Sequence, residues 1–223
     1  MISDFSLIQR LDIIRQECSG KRVLHLGCTN FPYTQESIKN KMLLHTELEA
    51  IAADVWGIDG DRMGIDILLA HGSKQILLGD LENLDQVELN RTFDIIVAGE
   101  MIEHLNNPGL FLDGVKRFMH GGSRLLITTI NAYGGMRFLW YGLRGKRGRF
   151  EFVHPDHVAY YSYSTLKLLL ERHGMHVENF LFYDIGKEHR PHNKWFLNAI
   201  NDVCVKIAPQ WADGVIAICR LPE

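Results

Sequence analysis

The sequence lacks the features that mark membrane proteins, secreted disulfide proteins and general nucleic-acid binders. No apolar run approaches the roughly 18 residues expected of a membrane-spanning helix, and the first 17 residues lack the apolar core of a secretory signal. The four cysteines lie far apart and form no CxxC pair, so we expect reduced thiols and a cytoplasmic location. The net charge of -3 lacks the basic excess of most nucleic-acid binders, and we expect no nucleic-acid partner.

The chain has enough apolar residues for one buried core. Its 223 residues are 46% hydrophobic, which suits a single domain spanning residues 1–223. Seven short apolar runs predict strands: Arg22–Leu26, Val55–Ile58, Gln75–Leu78, Phe93–Ala98, Ser123–Thr129, His176–Tyr183 and Gly214–Leu221. Because helix-like segments lie between most of these runs, we predict an α/β fold. Its sheet is doubly wound, seven-stranded and mostly parallel, with helices on both faces.

Three of the helix-like segments have clear boundaries. One covers residues 3–17 with Ser3 as N-cap, and one runs from Ser164 to Gly174. The third has Asn107 as N-cap and Pro108 in its first turn, and it is predicted to stop at Gly121-Gly122. In a sheet of this kind, ligands bind at the carboxyl ends of the strands, so the residues that follow each strand are the candidates for a site.

Small and acidic residues follow the first three predicted strands. Gly27 comes directly after the first, where a glycine allows the backbone to approach a ligand closely. Asp59 ends the second strand, where an acid can accept hydrogen bonds from ribose hydroxyls, and Asp80 follows the third. Each acid also has an ordinary reading as a turn or helix-cap residue. The GxGxxG fingerprint is absent, which counts against a dehydrogenase-type dinucleotide site.

Two stretches carry a resemblance to a known family. The run Val23–Asn30 and the block Phe93–Leu105, continued from Asn107 to Asn131, resemble class I methyltransferases that use S-adenosylmethionine (SAM). The subgroup that they resemble contains ubiquinone-biosynthesis O-methyltransferases and many glycan-modifying methyltransferases. The resemblance covers residues 20–175. It implies a Rossmann-like methyltransferase fold and SAM as cofactor.

The resemblance also implies which residues contact the cofactor. They are the first-strand loop Gly27, Cys28 and Thr29, the ribose-binding Asp59 with Gly60, the adenine-binding Asp80 with Leu81, and Gly99 after the fourth strand. Two residues depart from the family pattern. His25 stands where the family usually has an acid, and Thr29 where it has a second glycine. These departures leave open a catalytically silent, methyltransferase-like SAM-binding protein as the alternative function.

The candidate catalytic residues are His157, His104 and Glu100. An oxygen nucleophile needs a base, and His157 is favoured because it matches the histidine of the subgroup that precedes an aromatic pair. Glu100, Glu103 and His104 would share one face if they opened a helix. They could then hold a divalent metal, which we do not favour, or simply cap the helix. His157 could likewise bond only a loop carbonyl.

Residues 132–157 are predicted to be an acceptor-binding lid without regular helix or strand periodicity. Between residues 136 and 152, large aromatic residues alternate with five cations: Arg137, Arg144, Lys146, Arg147 and Arg149. Arginine suits phosphate or carboxylate groups, and aromatic rings suit a sugar, quinone or lipid face. We therefore expect O-methylation of a small-molecule, glycan or lipid-linked acceptor. Peripheral membrane contact through 136–152 and a plain solvated loop are the alternatives for this segment.

Overall fold

The computed structural model describes residues 8–144, 156–184, 186, 190 and 193–222. The strands in these residues are β1 Arg22–Leu26, β2 Asp54–Asp59, β3 Ile76–Leu78, β4 Phe93–Gly99, β5 Met119–Ile130, β6 His176–Tyr183 and β7 Gly214–Arg220. The α-helices are α1 Arg10–Cys18, α2 Thr34–Lys39, α3 Leu44–Ile51, α4 Arg62–Ala70, α5 Pro108–Val115, α6 Gly135–Arg144, α7 Tyr163–Arg172 and α8 Trp195–Ile207. The predicted cap Ser3 lies outside the described residues.

The seven strands form one sheet in the order β3-β2-β1-β4-β5-β7-β6. The first five strands pair with one another in parallel, and β7 runs antiparallel to both β5 and β6. The predicted mostly parallel, seven-stranded sheet is therefore confirmed. The strand order reverses between β1 and β4, so the carboxyl ends of these two strands flank the position where a ligand cleft is expected.

Helices cover both faces of the sheet, as predicted. On one face, α5 and α7 pack Phe111 and Leu166 onto alternate residues of the central strands. On the other face, α1 and α3 pack Ile14 and Leu48 onto the intervening residues of the same strands. Strands buried on both faces are apolar along their whole length, which is why their sequences show runs rather than alternation.

The predicted stop of the third helix at Gly121-Gly122 is wrong. Helix α5 ends at Val115, a 3-10 turn follows, and β5 already begins at Met119, so both glycines lie inside a strand. Met119 pairs with Phe93 at the start of β4, across a register shift between Phe93 and Ile95. This long-range pairing extends the strand beyond its apolar part, which local sequence does not show.

The expectation that residues 132–157 lack regular structure is also wrong in part, because α6 is a helix. Met136 and Trp140 of α6 pack against Leu197 and Phe196 of α8, and this tertiary contact stabilises a segment rich in glycine. Residues 145–155 lie outside the described part of the chain. Among the described helices, none is both long enough and apolar enough to cross a membrane.

Candidate functional site

A cleft of about 1100 Å³ lies at the carboxyl ends of β1, β2 and β4. Most residues predicted from the sequence line it: Gly27, Cys28, Thr29, Asp59, Leu81, Gly99, Glu100, His104 and His157. The link between β1 and α3 covers one side through Phe31, Tyr33 and Met42. Gly60 and Asp80 are not among the lining residues.

The loop after β1 depends on one glycine and accommodates a threonine. Gly27 has a φ of +71°, and a Cβ there would lie 3.2 Å from Cβ of Met101, so a side chain would be both strained and crowded. Thr29 is buried, and its side chain occupies the space above Gly64 of α4, where an added Cβ would approach it to 2.6 Å. The loop therefore accepts Thr29 in place of the second glycine of the family because α4 presents a glycine opposite it.

Asp59 is a buried carboxylate that organises the cleft. Its Oδ2 accepts the backbone N–H of Thr29 at 2.9 Å, and its Oδ1 accepts the backbone N–H of Asp61 at 2.9 Å. Each oxygen keeps further acceptor capacity, so both can still bind ribose hydroxyls. Asp80, in contrast, is exposed and accepts hydrogen bonds from Glu82 and Asn83 of its own turn. Its role toward adenine stays a prediction.

Glu100 does not belong to a helix with Glu103. It lies between β4 and a short 3-10 turn, Ile102–His104, with a φ of +51° that non-glycine residues rarely adopt. Its Oε1 accepts hydrogen bonds from Thr128 Oγ1 at 2.9 Å and from the Tyr183 hydroxyl at 2.7 Å. The strained backbone is thus held by strand pairing and by two side chains, as often occurs at functional sites.

Glu103 is fully buried beneath the cleft. Burial, reinforced by the nearby charge of Glu100, raises the pKa of its carboxyl to about 8, so that it holds a proton at neutral pH. Thr129 Oγ1 donates to its Oε2 at 2.8 Å. Its backbone carbonyl accepts the N–H of Val158 at 2.9 Å, which fixes the segment that carries His157 against the end of β4.

His104 and His157 meet edge to face on the wall of the cleft, with ring centroids 4.6 Å apart. Nδ1 of His104 lies 3.1 Å from the carbonyl oxygen of Asp156. A carbonyl only accepts hydrogen bonds, so Nδ1 carries the proton and Nε2 is the basic nitrogen. Ligand atoms of Glu103, His104 and His157 all lie within 4.8 Å of one another, so His157 replaces Glu100 in the predicted group of possible metal ligands.

Arg10 is a candidate site residue that sequence reasoning missed. It lines the cleft, with Nη1 3.6 Å from the position that a Cβ on Gly99 would take. No hydrogen bond or ion pair joins its guanidinium to any part of the chain that the structure describes. A cation in a cleft that has no hydrogen-bond or ion-pair partner among the described residues suits the carboxylate of a ligand. An arginine on an amphipathic helix gives no such signal in sequence.

A model of the methyltransferase-domain family matches residues 9–179 of the chain. The chain belongs to this family. It is 26% identical over 207 residues to the ubiquinone biosynthesis O-methyltransferase of Rhodopseudomonas palustris, and the match covers 88% of this chain and 73% of that protein. The chain is therefore a SAM-dependent methyltransferase, and the predicted family and cofactor are confirmed.

Solved structures of low sequence identity share the fold of this methyltransferase. A SAM-dependent methyltransferase from Archaeoglobus fulgidus superposes with a TM-score of 0.57 at 17% identity, covering 95% of this chain and 90% of that one. The [4+2]-cyclase SpnF superposes with a TM-score of 0.56 at 14% identity, covering 95% of this chain and 79% of that one. The fold thus positions a cleft without fixing the reaction that occurs in it.

Proposed function

We propose that this methyltransferase transfers the methyl group to an oxygen of a small-molecule, glycan or lipid-linked acceptor. His157 is the first candidate for the general base and His104 the second. The observation that carries this proposal is the pair of imidazoles on the wall of the cofactor cleft, held by the Asp156 carbonyl and the backbone of Glu103. Imidazole is the side chain best suited to take a proton from a hydroxyl near neutral pH.

The cleft residues fit SAM on their chemistry. Bound SAM supplies a methyl group that is already activated by its sulfonium. The loop Gly27–Thr29 offers backbone close to the ligand, and Asp59 offers a carboxylate to the ribose. Arg10 suits the carboxylate of the methionine moiety, since its guanidinium has no hydrogen-bond or ion-pair partner among the described residues. Adenine contacts with Asp80 and Leu81 complete the proposed set.

The remaining work of the protein is alignment, proton removal and exclusion of water. Glu100 is proposed to line the acceptor pocket beside the imidazole pair, where Thr128 and Tyr183 hold it. We favour less a metal-dependent reaction with a divalent cation at Glu103, His104 and His157. Three neighbouring ligand groups suit a cation but do not require one.

We also propose that residues 132–157 form the acceptor-binding lid, with peripheral membrane contact through 136–152. In the described part, α6 exposes Phe138 and Leu143 by 68% and 64%. Arg137 is not available to an acceptor, because it pairs with Asp213 at 2.9 Å and its side chain is only 23% exposed. The side chain of Arg144 and all of Lys146, Arg147 and Arg149 lie outside the described residues, so their role stays a prediction. The cytoplasmic location also stays a prediction.

The test is a methyl-transfer assay with labelled SAM on quinone precursors, phosphorylated sugars and lipid-linked glycans. His157→Ala should lower turnover by about 100-fold or more while SAM still binds, and His104→Ala is compared with it. Asp66→Asn, at an exposed ion pair on α4, is the control. Full turnover in both histidine variants would remove the proposed base, and turnover that survives exhaustive chelation would remove the metal version.

The alternative function is a catalytically silent SAM-binding protein, and binding measurements on the same purified proteins distinguish it from an active methyltransferase. Isothermal titration with SAM and with its demethylated product measures binding independently of methyl transfer. Tight binding of both compounds, with no methyl transfer to any acceptor class, would favour the silent protein. The feature that keeps this alternative is His25, which replaces the usual acid at the end of β1.

A further inference from the structure

A buried pair of histidines lies beneath the cofactor cleft. His25, on β1, lines the cleft and is 3% exposed, and His45, on α3, is fully buried behind it. Nδ1 of His25 lies 3.3 Å from Nδ1 of His45. Gly57, the neighbour of His25 on β2, leaves room for the second ring, because a Cβ there would lie 3.0 Å from Cε1 of His45.

The two rings are arranged for a hydrogen bond rather than for face-to-face stacking. Their planes differ by 16°, and their centroids are 5.5 Å apart. The distance between the centroids is longer than the 3.3 Å between the two Nδ1 atoms by about one ring radius for each ring. This is expected when two rings meet edge to edge in one plane, with their nitrogens facing each other. Burial lowers the pKa of His45 to about 4 and that of His25 well below its ordinary value, so both rings are neutral at pH 7. One Nδ1 therefore donates and the other accepts.

Glu49 faces the ring nitrogen of His45 that does not contact His25. Its Oε1 lies 3.8 Å from Nε2 of His45, a buried nitrogen with no hydrogen-bond partner among the described residues. Although this distance is too long for a hydrogen bond, the negative charge favours the proton on the nitrogen that faces it. Ser73 holds the carboxylate in place by donating to Oε2 at 3.0 Å. With its proton on Nε2, His45 accepts at Nδ1, and His25 donates from its own Nδ1.

We propose that Glu49, His45 and His25 form a relay that presents Nε2 of His25 as a hydrogen-bond acceptor for the α-ammonium of SAM. In this tautomer Nε2 has a lone pair, and the geometry of the ring directs it away from the Nδ1–H that faces His45. The ammonium and the carboxylate of the methionine moiety share one carbon, so an acceptor for the first must lie beside the cation that binds the second. Arg10 lines the same cleft, with Nη1 3.6 Å from the position that a Cβ on Gly99 would take, and its charge adds to the lowering of the pKa of His25.

Nearby acids on the cleft wall are less suited to this role. Glu47 is paired with Arg15, and Glu100 accepts from Thr128 and Tyr183. The relay replaces the permanent charge of the usual acid with a neutral acceptor, His25. The tautomer of His25 depends on the carboxylate of Glu49, which it does not contact directly. This inference rests on the proposed placement of SAM, so its test must separate the two.

The first measurement is the affinity for S-adenosylhomocysteine and for an analogue without the α-amino group, by isothermal titration. Glu49→Gln removes the charge at a partly exposed position and should weaken binding of the first ligand about three- to tenfold, with little effect on the second. His25→Phe should weaken it about tenfold or more. In a His25→Asp background, Glu49→Gln should have no further effect on affinity. A carboxylate at position 25 accepts a hydrogen bond from the ammonium whichever tautomer His45 adopts. Asp66→Asn is the matched control on a neighbouring helix.

The second measurement is the tautomer itself, from spectra of protein labelled with nitrogen-15 histidine. We expect His25 to carry its proton on Nδ1 in the wild-type protein and to lose this preference in Glu49→Gln. A proton on Nε2 of His25, or an unchanged affinity in Glu49→Gln, would overturn the relay. Asp59→Ala separates the failure of the relay from the failure of the proposed cofactor site. Unchanged affinity in Asp59→Ala contradicts the cofactor site. Weaker binding in Asp59→Ala, with unchanged affinity in Glu49→Gln, contradicts only the relay.

Discussion

Asp59 accepts hydrogen bonds from two backbone N–H groups in addition to its proposed contact with ribose. A carboxylate held in this way loses little conformational entropy when a ligand binds, because its rotamer is already fixed. The same bonds tie the loop after β1 to the end of β2. Asp59 thus shapes the cleft, and a substitution tests this role together with its proposed recognition of the ribose.

We predict that Asp59→Ala weakens SAM binding by about 1.5–3 kcal/mol, the range for hydrogen bonds to charged groups. Titration calorimetry gives the affinity, and thermal unfolding shows whether the variant is folded. Asp59→Asn keeps one acceptor oxygen and should lose less. A folded Asp59→Ala protein that binds SAM as tightly as wild type would remove Asp59 from the cofactor site.

At the scale of elements, the end of β4 meets residues 156–158 on the wall of the cleft that carries His104 and His157. The backbone of Glu103 holds Val158, while α6 leaves β5 and packs on α8. No described residue of α6 lines the cleft, so the part of α6 in the proposed lid stays a prediction.

We predict that neutralising Arg144, Lys146 and Arg147 together weakens acceptor binding and leaves SAM binding nearly unchanged. The cations would attract an anionic acceptor or membrane surface over about 8–10 Å at ordinary ionic strength, so activity should also become less dependent on salt. The assay compares KM for the acceptor and Kd for SAM at two salt concentrations. Lys39→Gln, at the end of α2, controls for a general loss of positive charge. Equal salt dependence in the triple variant would contradict the prediction.

At the scale of the whole molecule, the buried Glu103 makes folding stability depend on pH. Its pKa is raised from about 4.5 to about 8 in the folded protein, so between these values the folded state holds a proton that the unfolded state has released. Stability therefore falls as pH rises through this window, by up to about 1.4 kcal/mol per pH unit.

We predict that Glu103→Gln, which cannot ionise, gains stability relative to wild type as the pH rises from 5 to 9. The difference in melting temperature should grow by about 2–4 °C for each kcal/mol gained. Differential scanning calorimetry with a chelator present measures it. Glu171→Gln, at an exposed pair with Lys167, should show no such trend. A constant difference across this pH range would mean that Glu103 is already ionised in the folded state.

The sequence by itself determined the sheet and most of the cleft. Strands buried on both faces must be apolar throughout, so β1, β2, β4 and β7 could be located from short runs within a residue or so of their ends. Because parallel strands bring their carboxyl ends to one edge, residues as distant as Gly27, Asp59 and Gly99 could be assigned to one site.

Only the tertiary structure decided the features that depend on contacts between distant segments. The pairing of Met119 with Phe93 extended β5 through two glycines, and packing on α8 made α6 a helix. The hydrogen bond between His25 and His45 and the position of Arg10 also arise from helices that fold onto the sheet. Local propensity does not encode such contacts, because their free energy comes from burial and hydrogen bonding across the molecule.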